Sequence, residues 1–197
     1  VYQVPKSCPQ EIVKTVVIPS GQEFKARVLS QKNVDCKNNS TGKVTFRVEN
    51  LRGGSYNVSL SSSIRHAPGY ISYVQSPTFE VDNLGAGTHT ITFNYRPAVA
   101  GAPTCVVSRT ITITEPAELT LTATIVEPAM CSNAQYAKVR VTATGGTGAY
   151  IYTYLVGGVT KTTNNTTGLF TGVATGTPSF MVKDVNGCSK QIDLTNF

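Results

Sequence analysis

Short stretches in which apolar and polar side chains alternate run through most of this chain. Residues 44–48, Val-Thr-Phe-Arg-Val, form one such stretch, and residues 119–125 and 138–143 show the same pattern. Alternation with a period of two marks β-strands that bury one face. No window of about eleven residues combines helical periodicity with helix caps. The sequence therefore predicts an all-β protein.

Turn signals separate these strands at short intervals. Glycine-rich turns occur at 52–54, 145–148 and 157–158, and an Asn-Gly pair occupies 186–187. Asn-Gly between two strands is a strong hairpin signal because both residues tolerate positive φ. Short strands at this spacing predict antiparallel β-sandwiches of the immunoglobulin type. The chain has no Trp, so the similarity to antibody domains is one of architecture only.

The chain also repeats itself at an offset of 95 residues, which places Cys131 over Cys36. A glutamate precedes each of these cysteines by thirteen residues, and a Lys-Val pair follows each by seven. A second cysteine closes each unit, Cys105 in the first and Cys188 in the second. The period exceeds the roughly 20–50 residues of solenoid repeats and suits small independent domains. Arrays of such domains are typical of spacers and binding stalks.

These landmarks divide the chain into tandem immunoglobulin-like domains, joined end to end. We expect one domain over residues 22–115 and another over 116–197. Residues 1–21, with Cys8, are interpreted as the terminal strand of a preceding repeat whose first half is missing. The short joint contains Pro116, which restricts bending and favours a stiff rod.

Composition removes two function classes. Charged residues are only 14% of the chain, and its net charge of +6 reflects the small number of acids, 11 against 17 scattered Lys and Arg residues. Nucleic-acid binding needs a concentrated basic face, so we expect no nucleic-acid partner. No run of about 18 apolar residues predicts a membrane span in this segment.

Three short motifs then occur in a characteristic order. A cysteine follows a Pro-containing strand end at 127–131, Gly-Gly-x-Gly-x-Tyr occupies 145–150, and Val-x-Asp-x-Asn-Gly-Cys occupies 182–188. The first unit keeps a Leu-x-x-Gly-Thr element at 84–88 but replaces the final motif by Ala-Pro-Thr-Cys at 102–105. This pattern resembles the SprB-type repeats of Bacteroidetes surface adhesins.

The resemblance implies a long filamentous adhesin on the bacterial cell surface, exported by the type IX secretion system and used in gliding motility. Its implied partners are neighbouring repeats of the same chain, surface polysaccharide or another substratum, and the secretion and motility machinery. It supplies no catalytic residues and no cofactor.

An exported protein meets oxidising conditions, so disulfides within each repeat are expected. The expected pairs are Cys36 with Cys105 and Cys131 with Cys188, and buried free thiols are the alternative. A bridge that joins Cys36 or Cys105 to Cys131 or Cys188, or one continuous core across Pro116, would overturn the stalk interpretation.

No enzyme or metal site emerges from the side chains. None of the 11 carboxylates belongs to a recognisable catalytic motif, and no C-x-x-C pair is present. The Asp-Val-Asn-Gly segment at 184–187 starts like a calcium loop but lacks the later acid, so we interpret it as a turn. His89 is predicted at an exposed position of a strand.

Two groups of aromatic residues could contact a ligand. Tyr150, Tyr152 and Tyr154 share one strand face, where core packing is favoured over a platform for sugar rings. The better candidates lie in the long excursion of the first unit, residues 61–78: Arg65, His66, Tyr70 and Tyr73.

These observations favour a non-enzymatic stalk that transmits force and supports attachment. One alternative is a carbohydrate-binding accessory region of a secreted glycan-degrading enzyme. Another is a structural subunit of a fibre or surface layer.

Overall fold

The computed structural model describes residues 23–61, 71–129 and 136–195. These residues form fourteen β-strands, of which the first seven are β1 (Lys25–Lys32), β2 (Gly42–Glu49), β3 (Ser55–Ser61), β4 (Ile71–Val74), β5 (Thr78–Leu84), β6 (Gly87–Arg96) and β7 (Cys105–Ile113). The remaining strands are β8 (Thr120–Glu127), β9 (Tyr136–Thr144), β10 (Ile151–Val156), β11 (Val159–Asn165), β12 (Leu169–Ala174), β13 (Pro178–Lys183) and β14 (Ser189–Asp193). The described ranges contain no helix with the length and hydrophobicity that a bilayer span requires.

The strands form two sandwiches with the same topology. In the first sandwich, the three-stranded sheet β1-β2-β5 accompanies the four-stranded sheet β4-β3-β6-β7. In the second, β8-β9-β12 accompanies β11-β10-β13-β14. Seven antiparallel strands distributed in this way form a sandwich of the immunoglobulin type. The predicted fold class is therefore confirmed.

The offset seen in the sequence reappears in the strands. Strand β8 begins and ends 95 residues after β1, and β9 ends 95 residues after β2. The two units therefore share the geometry of their first two strands and differ later in the chain. The interpretation of residues 1–21 as part of a preceding repeat lies outside the described residues.

Aromatic side chains fill the core of the first sandwich. Phe46 and Phe93 are fully buried and meet edge to face, with ring centroids 5.1 Å apart. Tyr56 packs 5.9 Å from Phe93, and its hydroxyl donates to the carbonyl of Ser76 at 2.9 Å. Burial raises the pKa of Tyr56 to about 12. The alternating pattern of β2 thus points one face into the core, as predicted.

The tyrosines of β10 belong to the core of the second sandwich. Tyr152 and Tyr154 are buried, and Tyr150 packs against the same cluster. The hydroxyl of Tyr152 accepts a hydrogen bond from the Ala143 amide, and that of Tyr154 accepts one from the Ala174 amide. These buried rings are unavailable for stacking on sugars, so the core interpretation is confirmed.

The two cores are separate. The buried cluster of the first sandwich runs from Phe24 to Ile113 in sequence, whereas that of the second begins at Leu119. No residue belongs to both clusters among those that the structure describes. The structure thus places no continuous core across Pro116 in this part of the chain.

Separate cores predict separate responses to mutation. Phe93→Ala should lower the free energy of unfolding of the first sandwich by about 3–5 kcal/mol, because it opens a cavity in a closed core. NMR-detected urea unfolding should show the amide signals of the second sandwich unfolding at an unchanged midpoint. Phe180→Ala, at an equally buried position of the second core, should produce the reverse. Equal shifts of both transitions in either variant would contradict independent cores.

Candidate functional site at the joint between the sandwiches

A disulfide between Cys36 and Cys188 joins the two sandwiches across 152 residues of sequence. Cys36 lies in the loop after β1, and Cys188 immediately precedes β14. The prediction of a Cys36–Cys105 bridge and a Cys131–Cys188 bridge is therefore wrong. Cys105 is instead a free, exposed thiol, and Cys131 itself lies outside the described residues.

The direction of β7 explains the error. The amide of Val34, two residues before Cys36, donates to the carbonyl of Thr114 just after β7 at 2.9 Å. Cys105 begins this strand, whose nine residues span about 30 Å. A disulfide requires Cα atoms within roughly 7 Å. Cys36 and Cys105 thus lie at opposite ends of the sandwich, and Cys36 meets the next sandwich instead.

The linker, residues 114–119 between β7 and β8, is fixed to the first sandwich by polar contacts. Asn33 Oδ1 accepts a hydrogen bond from the Thr114 amide at 3.2 Å. The carboxylate of Glu115 accepts from Lys37 Nζ at 2.8 Å and from the Asn38 amide at 2.7 Å. The hydrogen bond from Lys37, followed by that from Asn38, holds the pKa of Glu115 below its ordinary value, and the pKa of Lys37 is raised in return. The linker therefore lies against the first sandwich through backbone and side-chain contacts.

A glycine turn fixes the linker to the second sandwich. The Gly146 amide donates to the carbonyl of Ala117 at 2.9 Å. Gly145 has φ +78°, and a Cβ atom there would collide with the backbone carbonyl of Glu118. Only glycine combines this conformation with so close an approach. The Gly-Gly pair of the sequence motif thus allows the β9–β10 turn to pack closely against the linker backbone.

Asp184 organises the turn that carries Cys188. Its buried carboxylate accepts hydrogen bonds from the backbone amides of Thr147, Asn186 and Cys188 at 2.9, 3.0 and 2.9 Å. These bonds tie the β13–β14 turn to the β9–β10 turn. Within the described ranges no three His, Cys, Asp or Glu side chains are grouped as metal ligands would be. The hydrogen bonds from Asn186 and Cys188 to this carboxylate, with that from the Gly187 amide to the Asp184 carbonyl, show that residues 184–188 form the predicted turn.

The same turn contacts the first sandwich. The Asn186 side-chain amide donates to the carbonyl of Asp35 at 3.3 Å and to Thr147 Oγ1 at 3.1 Å. The sulfur of Cys188 also lies 3.3 Å from the carbonyl oxygen of Asp35. The carboxylate of the same residue, Asp35, pairs with Lys32 Nζ at 2.7 Å. The loop after β1 is therefore held by a covalent bond and by neighbouring polar contacts.

An open cleft of about 420 Å³ lies beside the bridge. Residues of both sandwiches line it: Cys36, Lys37, Asn38, Asn39, Glu118, Leu119, Gly187, Cys188, Ser189 and Lys190. Its charged groups are engaged in ion pairs, with Lys37 on Glu115 and Lys190 3.6 Å from Glu118. The arrangement is suited to mechanical coupling of two folded units.

Of the four predicted ligand-contact residues, the described structure includes Tyr73 alone, so their grouping stays a prediction. Arg65, His66 and Tyr70 lie outside the described residues. Tyr73 lies on β4, the edge strand of its sheet, with 46% of its surface exposed. His89 is buried, so its predicted exposure is wrong, and its Nε2 lies 2.9 Å from the carbonyl oxygen of Gly85.

Comparison with known proteins gives similarity in solved structures only. No protein-family model and no curated protein matches the chain. A C-terminal 282-residue fragment of intimin, solved with the intimin-binding domain of the translocated intimin receptor, has a TM-score of 0.43 and 17% identity. The match covers 87% of this chain and 62% of the intimin fragment, so the chain spans less than two thirds of that protein's length.

Two further solved structures are similar to this chain. Fibronectin(III)-like modules of Clostridium thermocellum CbhA match with a TM-score of 0.36 and 9% identity, over 86% of this chain and 91% of theirs. A tetra-tandem repeat from the extending region of a large adhesion protein matches with a TM-score of 0.31 and 16% identity. The match covers 87% of this chain and 47% of the repeat structure. At these levels of similarity the fold assignment rests on the strand order described above.

The role of Asp184 is testable against a matched acid of the same sheet. Asp184→Ala should lower the free energy of unfolding of the second sandwich by about 3 kcal/mol, because three backbone amides lose a buried, charged acceptor. Asp193→Ala removes an exposed carboxylate that accepts from Ser179 and Gln191, and should change stability by less than about 1 kcal/mol. Urea unfolding measures both values. Losses of equal size would contradict the assigned role.

The linker carboxylate should titrate below its ordinary pKa of 4.5. Because the pKa of Glu115 is lowered by folding, its ion pair stabilises the joint above the ordinary value and is lost as pH falls through the folded value. NMR titration of wild type and Lys37→Met should show the Glu115 midpoint rising in the variant. Lys43→Met, which removes the partner of Glu80, is the control and should leave that midpoint unchanged. An unaltered midpoint in Lys37→Met contradicts the pairing.

Proposed function

We propose that this chain is a non-enzymatic, load-bearing repeat segment of an extracellular bacterial adhesin, acting as a stiff stalk. The observation that carries the proposal is the joint, where a disulfide and an anchored linker connect two sandwiches that keep separate cores. The observed Cys36–Cys188 bridge joins the two units, and from the sequence such a bridge was expected to overturn the stalk interpretation. That criterion assumed that a bridge between units implies a single merged domain. We retain the stalk as a proposal because the two cores are distinct and the bridge restricts their relative motion.

The position of the bridge determines how tension passes through the chain. Force applied at the two ends reaches Cys36 through β1 and Cys188 through β14, the strands just outside the closed loop. The bridge then carries the load, and the segment between the two cysteines is not stretched. Both β1 and β14 are edge strands, so their ladders with β2 and β13 bear the remaining force.

The chemistry of the joint supports an extracellular location. Disulfides persist in oxidising compartments and are rare in the cytosol. A surface filament also needs segments that keep their length under tension, which the bridged joint supplies. Export by the type IX system, a role in gliding, and attachment to polysaccharide or another substratum are the further expectations of the proposal, and they derive from the motif resemblance.

The carbohydrate-binding alternative no longer has the tyrosine platform of β10 to support it, whereas Arg65, His66 and Tyr70 lie outside the described residues. Tyr152 and Tyr154 are buried, which leaves Tyr73 as the described aromatic residue of the predicted ligand set with an exposed ring. A glycan array would separate the two functions. Saturable glycan binding that Tyr73→Ala abolishes would favour the accessory-region alternative over the stalk.

Single-molecule force spectroscopy tests the stalk directly. Oxidised wild type, pulled from its ends, should extend only by residues outside the loop. The Cys36→Ser/Cys188→Ser variant should extend by about 50 nm more, because the 152-residue loop now contributes roughly 3.4 Å per residue. Cys105→Ser is the matched control and should behave as wild type. Equal extensions for wild type and the double variant would contradict the load path.

A further inference from the structure

The free thiol of Cys105 occupies the place in the first sandwich that Cys188 occupies in the second. Cys105 is the first residue of β7, and Cys188 immediately precedes β14. Each of these strands is the last of its sandwich and lies at the edge of the four-stranded sheet. The sulfur of Cys188 is bonded to the neighbouring sandwich, whereas that of Cys105 is free and exposed.

The end of the first sandwich that carries Cys105 also corresponds to the bridged end of the second. Cys105 pairs with Tyr95, whose hydroxyl donates to the carbonyl of Leu51 in the β2–β3 loop at 2.7 Å. The neighbouring Asn50 side chain donates to the carbonyl of Glu23, where the chain approaches β1. The joint is formed by the same three features of the second sandwich. These are the segment leading into its first strand, β8, the turn after its second strand, β9, and the turn before its last strand, β14. Cys105 therefore lies at the end where another repeat would dock.

We propose that Cys105 forms a disulfide with the cysteine that follows the first strand of another repeat of this design, as Cys188 does with Cys36. Two thiols lose two protons and two electrons as the sulfur–sulfur bond forms. A low-molecular-weight disulfide such as oxidised glutathione accepts them and is reduced to two thiols. The partner is thus another sandwich that presents a cysteine in the position of Cys36.

The proposed joint differs from the observed one in its side chains. The residues before Cys105 are Ala-Pro-Thr, so Asp184 and Asn186 have no counterparts there. Two exposed apolar side chains lie near Cys105 in sequence instead, Val99 in the preceding loop and Val106 beside the thiol. Contact with a partner loop at this joint would therefore be more apolar than at the Cys36–Cys188 joint.

The proposal rests on the proposed function only in naming another repeat as the partner. Its consequence is an overlap of covalent loops. Residues 36–105 would lie inside both the loop closed at Cys188 and the loop closed at Cys105. Reduction of either bridge alone would then leave these residues shielded from tension. The load path through Cys36 and Cys188 can be correct whether or not Cys105 forms a bridge, so the two tests fail independently.

A second copy of this chain is the probe. Cys131 is the cysteine 95 residues after Cys36 in sequence, so it is the expected partner of Cys105 between copies. Wild type is incubated at high concentration with oxidised and reduced glutathione, and unreduced peptides are mapped by mass spectrometry. We expect disulfide-linked oligomers in which Cys105 is joined to Cys131 about tenfold more often than to another Cys105, because docking raises the effective concentration of the correct pair.

Three variants decide the result. Cys105→Ser and Cys131→Ser should each abolish the linked oligomers, whereas Cys8→Ser should leave them unchanged. Thermal unfolding of Cys105→Ser confirms that the variant is folded, since the replaced side chain is exposed. Symmetric Cys105–Cys105 dimers would show only an accessible thiol and would overturn the proposal. A Cys105–Cys8 bridge, or a chain that remains monomeric with Cys105 open to alkylation, would overturn it equally.

Discussion

Two covalent connections between the same pair of sandwiches determine the behaviour of this protein. The peptide linker and the Cys36–Cys188 bridge connect the sandwiches at separate points, so the remaining freedom is rotation about the line that joins those points. The contact from Asn186 to Asp35 between the sandwiches, and that from Gly146 to Ala117 in the linker, oppose that rotation. On the chain-entropy treatment, closing 152 residues disfavours the unfolded chain by about 5 kcal/mol. Stiffness and stability thus arise from the same bond.

The other contacts of the joint act mainly by placing the cysteines. The ion pairs of Lys37 and Lys190 are solvent-exposed, and such pairs contribute little to stability individually. The buried carboxylate of Asp184 matters more, because its three amide partners shape the turn that presents Cys188. A disulfide forms only between cysteines whose backbones are already close. The polar contacts therefore supply geometry, and the bridge supplies strength.

Period-two alternation and the 95-residue offset predicted the fold because both depend on local patterns that the sheets preserve. The cysteine pairing could not be read in the same way, since one cysteine pattern serves closure within a unit or between units. The deciding fact is the length of β7, which separates Cys105 from the end of the sandwich that holds Cys36. The burial of His89 was available from the sequence. His89 lies two residues before Ile91 on β6, on the same face of the strand as the buried Ile91, Phe93 and Tyr95.

A disulfide between the units shields the linker from tension, whereas disulfides within each unit would leave the linker under load. Bridges closed inside each sandwich would shield the residues between their cysteines, but the linker at Glu115 and Pro116 would remain in the load path. The bridge from Cys36 to Cys188 places this linker inside the closed loop, together with its contacts to Lys37 and Asn38. Tension then bypasses the joint, which is otherwise the part of a tandem array with the fewest buried contacts. In the proposed stalk, the joints would therefore stay aligned until the edge strands detach.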